Sequence, residues 1–482
     1  MKKLYLLLSV LCFATLCTAQ SVVSTHHRTE FENAFSAKPT LIRAYQEKKV
    51  LTCFMYSDFA TGNPVRYYFA ITEHTHQGVP SVNFPLPVEM QVSDMEILDS
   101  MCFFCGSIEL PDGTTSGLLG RFSIEEMLRN NGVCAVDTML VEATRMLTRL
   151  DVSHFNDVDS LYLIGAVGKF VLTQLSAFVM AGNYDVYLHS APWHYRTFRQ
   201  PHKPGELTDV VVTSQTVHVA TSYKGGTDSI GVVTVPPVDL NTGISATGEL
   251  QLLSLPSTFS FAPNWSDIIL CLDPSNNHVQ VLTSLYHRLE YYGIYSNYFL
   301  PLTPTTEFHL VATDSLLSPK EAVILPRAGM TYILTRKQFN GIIREPGFYD
   351  FVFRLPKVHP DIYYDYYADV PGTRLHSIDR LDESTFVTAG HYTETDAYKH
   401  EYLSQYNGTF NDTDPSCMRI DKMLITTHEH PDSRTVKPYL KLIFENNKKY
   451  WGTLPEEKGA GETEVKCVKH YEERQPTNQN NQ

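Results

Sequence analysis

A three-strand unit recurs along this chain and limits the folds that the chain can adopt. The clearest copy covers residues 92–124 and contains three apolar runs separated by residues that favour turns. Much of this unit returns at residues 207–235, where Asp209 takes the place of Asp94 and Ser222 that of Ser107. The middle run of the unit begins near residues 50, 101, 161, 217, 279, 331 and 386. A recurrence of roughly 50–60 residues predicts an array of small sheets.

The repeat predicts an all-β protein, a β-propeller of about seven blades with an irregular C-terminal extension. One small sheet cannot bury both of its faces, whereas sheets packed face to face in a ring bury them all. The aromatic content of 12% agrees, because flat rings pack well on pleated surfaces. Tandem β-sandwich domains are the alternative; they explain short strands but not the return of a whole unit. Short helices are expected at Glu125–Arg129 and Thr138–Met146.

Composition changes along the chain predict four segments: a signal peptide at 1–19, an arm or first strand at 20–40, the propeller repeats at 41–413 and an extension at 414–482. Lys2 and Lys3 precede an apolar run that ends near small Ala19, the pattern of an exported chain. Bulky Leu16 disfavours a lipid anchor at Cys17. The extension is expected to complete a blade or form an eighth one, and then to end in a disordered tail.

Charge and hydropathy restrict the partners. The formal net charge is −14 and basic residues are scattered, which argues against nucleic acid and anionic membrane surfaces. After the signal peptide there is no apolar run of about 18 residues, so no membrane span is expected. Because the chain is expected to carry a signal peptide and no membrane span, the predicted location is outside the cytoplasm of a bacterium: in the periplasm, on the outer surface or secreted.

The pattern Ser93-Asp94, a strand with FFCGS at 103–107, and GLLGRF at 117–122 resembles repeats in secreted propeller-like proteins of the Bacteroidetes. The resemblance covers most of residues 41–406 and lies at the level of the fold. It implies a propeller and export. It implies no activity, because no catalytic motif can be carried over to positions here.

Seven cysteines remain after the signal peptide. Five lie in or beside apolar runs and are expected to be small buried hydrophobic residues: Cys53, Cys102, Cys105, Cys134 and Cys271. Cys417 and Cys467 lie in a polar region and are the predicted disulfide. Cys102 and Cys105 are three apart on a predicted strand and so face opposite sides, which opposes a redox or zinc motif.

No cofactor or metal site is predicted. The pairs His74/His76 and His428/His430 could share a strand face, but each lacks an identifiable third ligand. Phosphate-binding loops, nucleophile elbows and regular Ca²⁺ loops are absent from the sequence. Asp94 and Asp209 recur by repeat position, which favours a structural bond from each side chain to a turn backbone over catalysis.

Aromatic stretches between the repeat strands are the candidate binding surface. Tyrosine combines an apolar ring with a polar tip, which suits recognition of sugars or proteins. The candidates, expected in loops or edge strands, are Trp193, Tyr291, Tyr292, Tyr295, Tyr363, Tyr364, Tyr366 and Tyr367. Packing of long connections onto the blades is the competing explanation.

The leading functional prediction is an exported, non-catalytic recognition or scaffold protein of the cell envelope that binds a protein or glycan through propeller loops. The alternative is a secreted hydrolase acting on glycans or peptides at the propeller channel. A purely structural envelope component is a third option. Titratable residues with shifted pKa values at the channel would favour the enzyme, and an exposed Tyr/Trp patch would favour the binder.

Overall fold

The structure is a computed structural model, and its described residues fall between 23 and 429. They are residues 23–28, 36–46, 49–58, 63–73, 82–141, 144–155, 158–170, 176–183, 194–199, 205–223, 228–235, 249–255, 259–261, 268–287, 290–300, 310–312, 317–327, 329–338, 348–356, 365–367, 374–396 and 418–429.

Strands dominate the described residues and form seven antiparallel sheets, here called blades 1 to 7. Strand β1 (Val23–Arg28) comes first in the chain. Blade 1 contains β2 (Ser36–Tyr45), β3 (Lys49–Asp58), β4 (Asn63–Glu73) and β5 (Val82–Pro85). Blade 2 contains β6 (Met90–Leu98), β7 (Met101–Glu109), β8 (Thr115–Ser123) and β9 (Val136–Val141). Blade 3 contains β10 (Thr144–Phe155), β11 (Val158–Phe170), β12 (Ser176–Asn183) and β13 (His194–Arg199).

The later blades continue in chain order. Blade 4 contains β14 (Gly205–Val212), β15 (Val217–Tyr223), β16 (Ser229–Val235) and β17 (Glu249–Ser254). Blade 5 contains β18 (Phe259–Phe261), β19 (Ile268–Asp273), β20 (His278–His287), β21 (Glu290–Phe299) and β22 (Leu310–Ala312). Blade 6 contains β23 (Leu317–Leu325), β24 (Met330–Gln338), β25 (Phe348–Pro356) and β26 (Asp365–Tyr367). Blade 7 contains β27 (Arg374–Arg380), β28 (Thr385–Asp396) and β29 (Met418–Glu429).

The N-terminal strand closes the ring. β1 pairs with β29 along its whole length, from Val23 opposite Glu429 to Arg28 opposite Leu424. Blade 7 therefore takes its outer strand from the start of the chain and its other three strands from the end. The inner strand of each blade, which is β19 in blade 5 and the first strand of each other blade, also packs against that of the next, and β27 packs against β2. The fold is an all-β propeller of seven blades.

The hydrophobic core lies between neighbouring blades. Between blades 1 and 2, Phe69 packs against Phe104 and Phe122 with ring centroids 5.5 and 4.9 Å away. Gly120 makes room for the Phe104 ring, because a Cβ at this glycine would stand 2.2 Å from the ring. Further clusters fill the seams between blades 2 and 3, 3 and 4, 4 and 5, 6 and 7, and 7 and 1.

The predicted repeat is confirmed. The second strands of the blades begin at residues 49, 101, 158, 217, 278, 330 and 385, within three residues of the sequence-based positions. The helix predicted at Glu125–Arg129 is also confirmed as α1 (Ile124–Arg129), where the Ser123 side chain accepts a hydrogen bond from the N–H of Glu126. The helix predicted at Thr138–Met146 is wrong: its described residues belong to β9 and β10, where pairing with neighbouring strands overrides the local helical pattern.

The predicted segment boundaries can be placed on this fold. The segment predicted as an arm or first strand, 20–40, contributes β1 and the beginning of β2. The C-terminal extension from residue 414 contributes β29, which completes blade 7. Residues 1–22 and 430–482 lie outside the described residues.

Candidate functional site

The candidate site is the central channel, which is lined by the inner strand of each blade, β19 in blade 5 and the first strand in the others. Six of these strands contain a β-bulge, where one extra residue interrupts the pairing register. The extra residues are Thr40, Ser93, Thr148, Thr208, Lys320 and His376. Most side chains one and three positions after the bulge line the channel, and many of them are charged. A bulge therefore sets the direction of the channel residues in these six blades.

Five of the channel carboxylates that the structure describes each accept a hydrogen bond from a backbone N–H of the next blade and so join neighbouring blades. The Leu150 N–H donates to Asp94 Oδ2 at 3.0 Å, and the Leu270 N–H donates to Asp209 Oδ2 at 2.8 Å. The same bond joins Val212 to Asp151 at 2.7 Å, Ile378 to Glu321 at 2.8 Å and Ala44 to Asp379 at 2.6 Å. These bonds link blades 2 and 3, 3 and 4, 4 and 5, 6 and 7, and 7 and 1.

The two remaining seams have inner-strand bonds of a different kind. Between blades 1 and 2, the Arg43 guanidinium lies 3.0 Å from Asp94 Oδ1 and 2.7 Å from Glu96 Oε1. Between blades 5 and 6, the Cys271 thiol donates to the carbonyl of Ala322 at 3.3 Å. The inner strands thus form a continuous circle of inter-blade contacts, and these channel groups stabilise the ring.

Two arginines extend the network across the channel. Arg43 Nη2 lies 3.5 Å from Glu321 Oε1, and Arg43 Nη1 donates to Ser377 Oγ at 3.2 Å. Arg149 reaches from blade 3 to blade 6, where Nη2 donates to the Lys320 carbonyl at 2.7 Å. Because Arg149 spans blades that are not neighbours in the ring, its side chain crosses the channel.

Burial changes the protonation of the channel acids. Burial raises the pKa of Asp209 to about 7, although Arg149 and two backbone N–H donors act in the opposite direction. Burial likewise raises the pKa of Asp151 to about 6, against the hydrogen bonds from the N–H groups of Val212 and Val152. Burial by itself would lower the pKa of Arg43, but the surrounding carboxylates, Glu96 foremost, raise it. Arg43 therefore stays charged, while Asp209 and Asp151 take up protons at a higher pH than exposed aspartates do.

The channel contains a cavity of about 300 Å³. Its charged wall includes Asp151, Asp209 and Arg149, and its apolar wall includes Val211 and Val323. The cavity therefore has the size and mixed lining of a small-ligand site, at the lower end of the usual range.

The aromatic residues predicted to bind a partner lie on two blades or outside the described residues. Tyr366 and Tyr367 lie on β26, the outer strand of blade 6, as an edge-strand position requires. Tyr291, Tyr292 and Tyr295 lie on β21, which has β20 on one side and β22 on the other. The expectation of a loop or edge strand is therefore wrong for Tyr295, which lies opposite Val311 of β22. The described pairing with β22 covers only Ile294–Ser296 and leaves the prediction for Tyr291 and Tyr292 untested. Trp193, Tyr363 and Tyr364 lie outside the described residues.

The cysteine predictions are confirmed where the structure describes them. Cys53, Cys102, Cys105 and Cys271 are buried free thiols, and Cys134 is half-buried. Cys102 packs with Phe104 on one face of β7 and Cys105 with Phe103 on the other, as the three-residue spacing requires. The predicted disulfide of Cys417 and Cys467 lies outside the described residues.

The histidine pairs and metal sites can be placed in part. His428 lies on β29 opposite Ser24, whereas His74, His76 and His430 lie outside the described residues. Within the described ranges, no group of three or more His, Cys, Asp or Glu side chains has the geometry of a metal site. No helix among these residues is long and apolar enough to cross a membrane.

Comparison with known proteins adds only fold-level similarity. No protein-family model and no curated protein matches this chain. The β-propeller domain of the trilobed protease from Pyrococcus furiosus is 9% identical, with a TM-score of 0.44 over 74% of this chain and 92% of that one. A protein of unknown function from Dyadobacter fermentans is 8% identical, with a TM-score of 0.42 over 85% and 99%. The polysaccharide lyase Uly1 is 9% identical, with a TM-score of 0.42 over 84% and 92%.

Sequence reasoning identified part of the channel and missed the rest. Asp94 and Asp209 were expected to bond a turn backbone, whereas each bonds the inner strand of the next blade. Arg43, Asp151 and Glu321 were not singled out. The signal was present: most inner strands carry a charged residue one or three positions after a Ser, Thr, Lys or His in an apolar run, as in LTRLD at 147–151.

Proposed function

We propose that this chain is a non-catalytic recognition or scaffold protein that is exported to the bacterial cell envelope and binds a protein or glycan through its propeller loops and edges. Propellers serve many functions, so the fold alone does not indicate this one and the residues of the site must. Export is proposed from the charged and apolar pattern of residues 1–19.

The observation that carries this proposal is the use of the channel carboxylates. Asp209 accepts the N–H of Val210 on one oxygen and that of Leu270 on the other. Asp151 accepts the N–H groups of Val152 and Val212 in the same way. A general base needs an oxygen within reach of the proton that it removes. Carboxylates that already hold two backbone donors are suited to joining blades rather than to catalysis.

A secreted hydrolase that acts at the channel on glycans or peptides is the second candidate. The pKa values favour it, because burial raises the pKa of Asp209 to about 7 and that of Asp151 to about 6 in a cavity of about 300 Å³. Glycosidases use such a carboxylic acid to protonate the leaving group, together with a second carboxylate.

A binding experiment tests the recognition proposal. Purified mature protein is applied to a glycan array and to envelope extracts, beside a variant with Tyr363, Tyr364, Tyr366 and Tyr367 changed to Ala. The matched control changes Leu140 to Ala, an exposed residue on the outer strand of blade 2. Circular dichroism checks the fold of each variant.

The proposal predicts specific binding that the tyrosine variant loses and the leucine control keeps. Binding that both variants keep would remove the tyrosines from the site while leaving recognition in place. The absence of any specific binding by the wild type, together with hydrolysis of glycans or peptides, would contradict the proposal.

A further inference from the structure

A second cavity lies between blades 4 and 5, away from the central channel. Its volume is about 230 Å³. We call it the blade 4–5 groove, and it is lined mainly by His218, Thr234, Gln251, His278, Val279 and Leu300. Strands β15, β16 and β17 supply the blade 4 side, and the start of β20 with the residue after β21 supplies the blade 5 side.

The groove combines an apolar floor with an uncharged polar rim. Val279 is a buried member of the cluster between blades 4 and 5, and Leu300 packs against that cluster. Gln251 contributes an amide, Thr234 a hydroxyl and His218 an imidazole. Among the lining residues that the structure describes, none is Asp, Glu, Lys or Arg.

Hydrogen bonds fix the polar rim. His218 Nδ1 lies 3.0 Å from Thr234 Oγ1, and His218 Nε2 lies 3.2 Å from Thr216 Oγ1. Thr216 Oγ1 in turn lies 2.7 Å from Thr213 Oγ1. Burial lowers the pKa of His218 to about 4, which keeps the ring neutral with one donor and one acceptor nitrogen. This chain of groups orients the Thr234 hydroxyl, and Thr234 is a half-buried residue of the groove lining.

We propose that the blade 4–5 groove binds one neutral sugar ring of a glycan. A pyranose has an apolar C–H face that suits the partly exposed Leu300, and hydroxyls that both donate and accept. Such hydroxyls can pair with Thr234 and Gln251 whichever tautomer His218 adopts. A charged sugar would lose its hydration in a groove that offers no opposite charge. The cavity is smaller than the roughly 300–1,000 Å³ of drug-sized sites, which fits a monosaccharide.

This inference rests on the proposed recognition function and gives it a ligand class, at a subsite separate from the tyrosines of blade 6. Saturation-transfer NMR on the full mature chain tests it with glucose, galactose and mannose as neutral probes, and with glucuronate and glucosamine as charged ones. The proposal predicts saturable binding of at least one neutral hexose, with the charged sugars weaker by about tenfold or more, which is about 1.4 kcal/mol.

Variants locate the binding. Thr234→Val with Gln251→Leu removes the polar rim and should weaken hexose binding about tenfold or more. Thr138→Val with Gln91→Leu makes the same changes at exposed positions on blade 2 and should leave binding unchanged. His278→Ala, at the exposed first residue of β20, gives a second groove variant should the first fail to fold.

Two results would overturn the groove proposal: no saturable binding of any neutral hexose, or binding that the folded groove variants retain in full. Partner capture from envelope extracts that persists in either case would show that recognition stands and only the groove assignment fails.

Discussion

Asp209 shows how one residue can hold the fold together and still be poised to change its charge. Its two oxygens accept the backbone N–H groups of Val210 and Leu270, yet burial raises its pKa from 3.8 to about 7. The folded protein therefore holds this proton more tightly than the unfolded chain does. The resulting stability is complete below about pH 4 and is lost as the pH rises through about 7.

The wild type should be less stable at pH 8 than at pH 5, with Asp209 contributing about 2–3 kcal/mol to the fall in the free energy of unfolding. Asp209→Asn cannot ionise and should show a fall that is smaller by this amount. Urea unfolding at both pH values measures it, and Asp112→Asn, an exposed residue in a turn, is the control. An identical pH dependence in wild type and Asp209→Asn would contradict the raised pKa.

The strands could be predicted from the sequence far better than their partners could. The apolar runs that begin near residues 101, 217 and 331 correctly located β7, β15 and β24, because alternation and turn residues are local signals. Such local signals could not predict the hydrogen bond from Leu150 to Asp94, because the two residues are 56 positions apart and meet only when neighbouring blades pack. The strand that covers Tyr295 was missed for a different reason: β22 has only three residues and gives a weak local pattern.

β1 is the element that closes the ring, since it covers Leu424–Glu429 of β29. A chain that begins at residue 29 would leave this part of β29 as an open edge, which exposes backbone donors and acceptors to other chains. We expect its thermal midpoint to fall by several degrees and aggregation to increase, relative to a control chain that begins at Val22 and keeps β1 whole. Scanning calorimetry and light scattering measure both; an unchanged midpoint in a monomeric protein would contradict closure by β1.

At the scale of the whole molecule, the ring is stabilised from its centre. Carboxylates link five of its seams, Arg43 and Cys271 link the other two, and Arg149 crosses from blade 3 to blade 6. We therefore propose that the channel carboxylates hold the blades together and do not serve a ligand or a reaction, and that recognition falls to the outer strands, the turns and the grooves between blades.

The most direct test of this claim compares the wild type with Asp151→Asn/Asp209→Asn on the same glycan array and envelope pull-down, together with an assay for glycan and peptide hydrolysis. The account predicts that the folded double variant keeps the binding of the wild type, that neither protein hydrolyses the substrates, and that the pH dependence of unfolding changes. Hydrolysis by the wild type that disappears in a folded Asp151→Asn/Asp209→Asn protein would contradict the account and place catalysis in the channel.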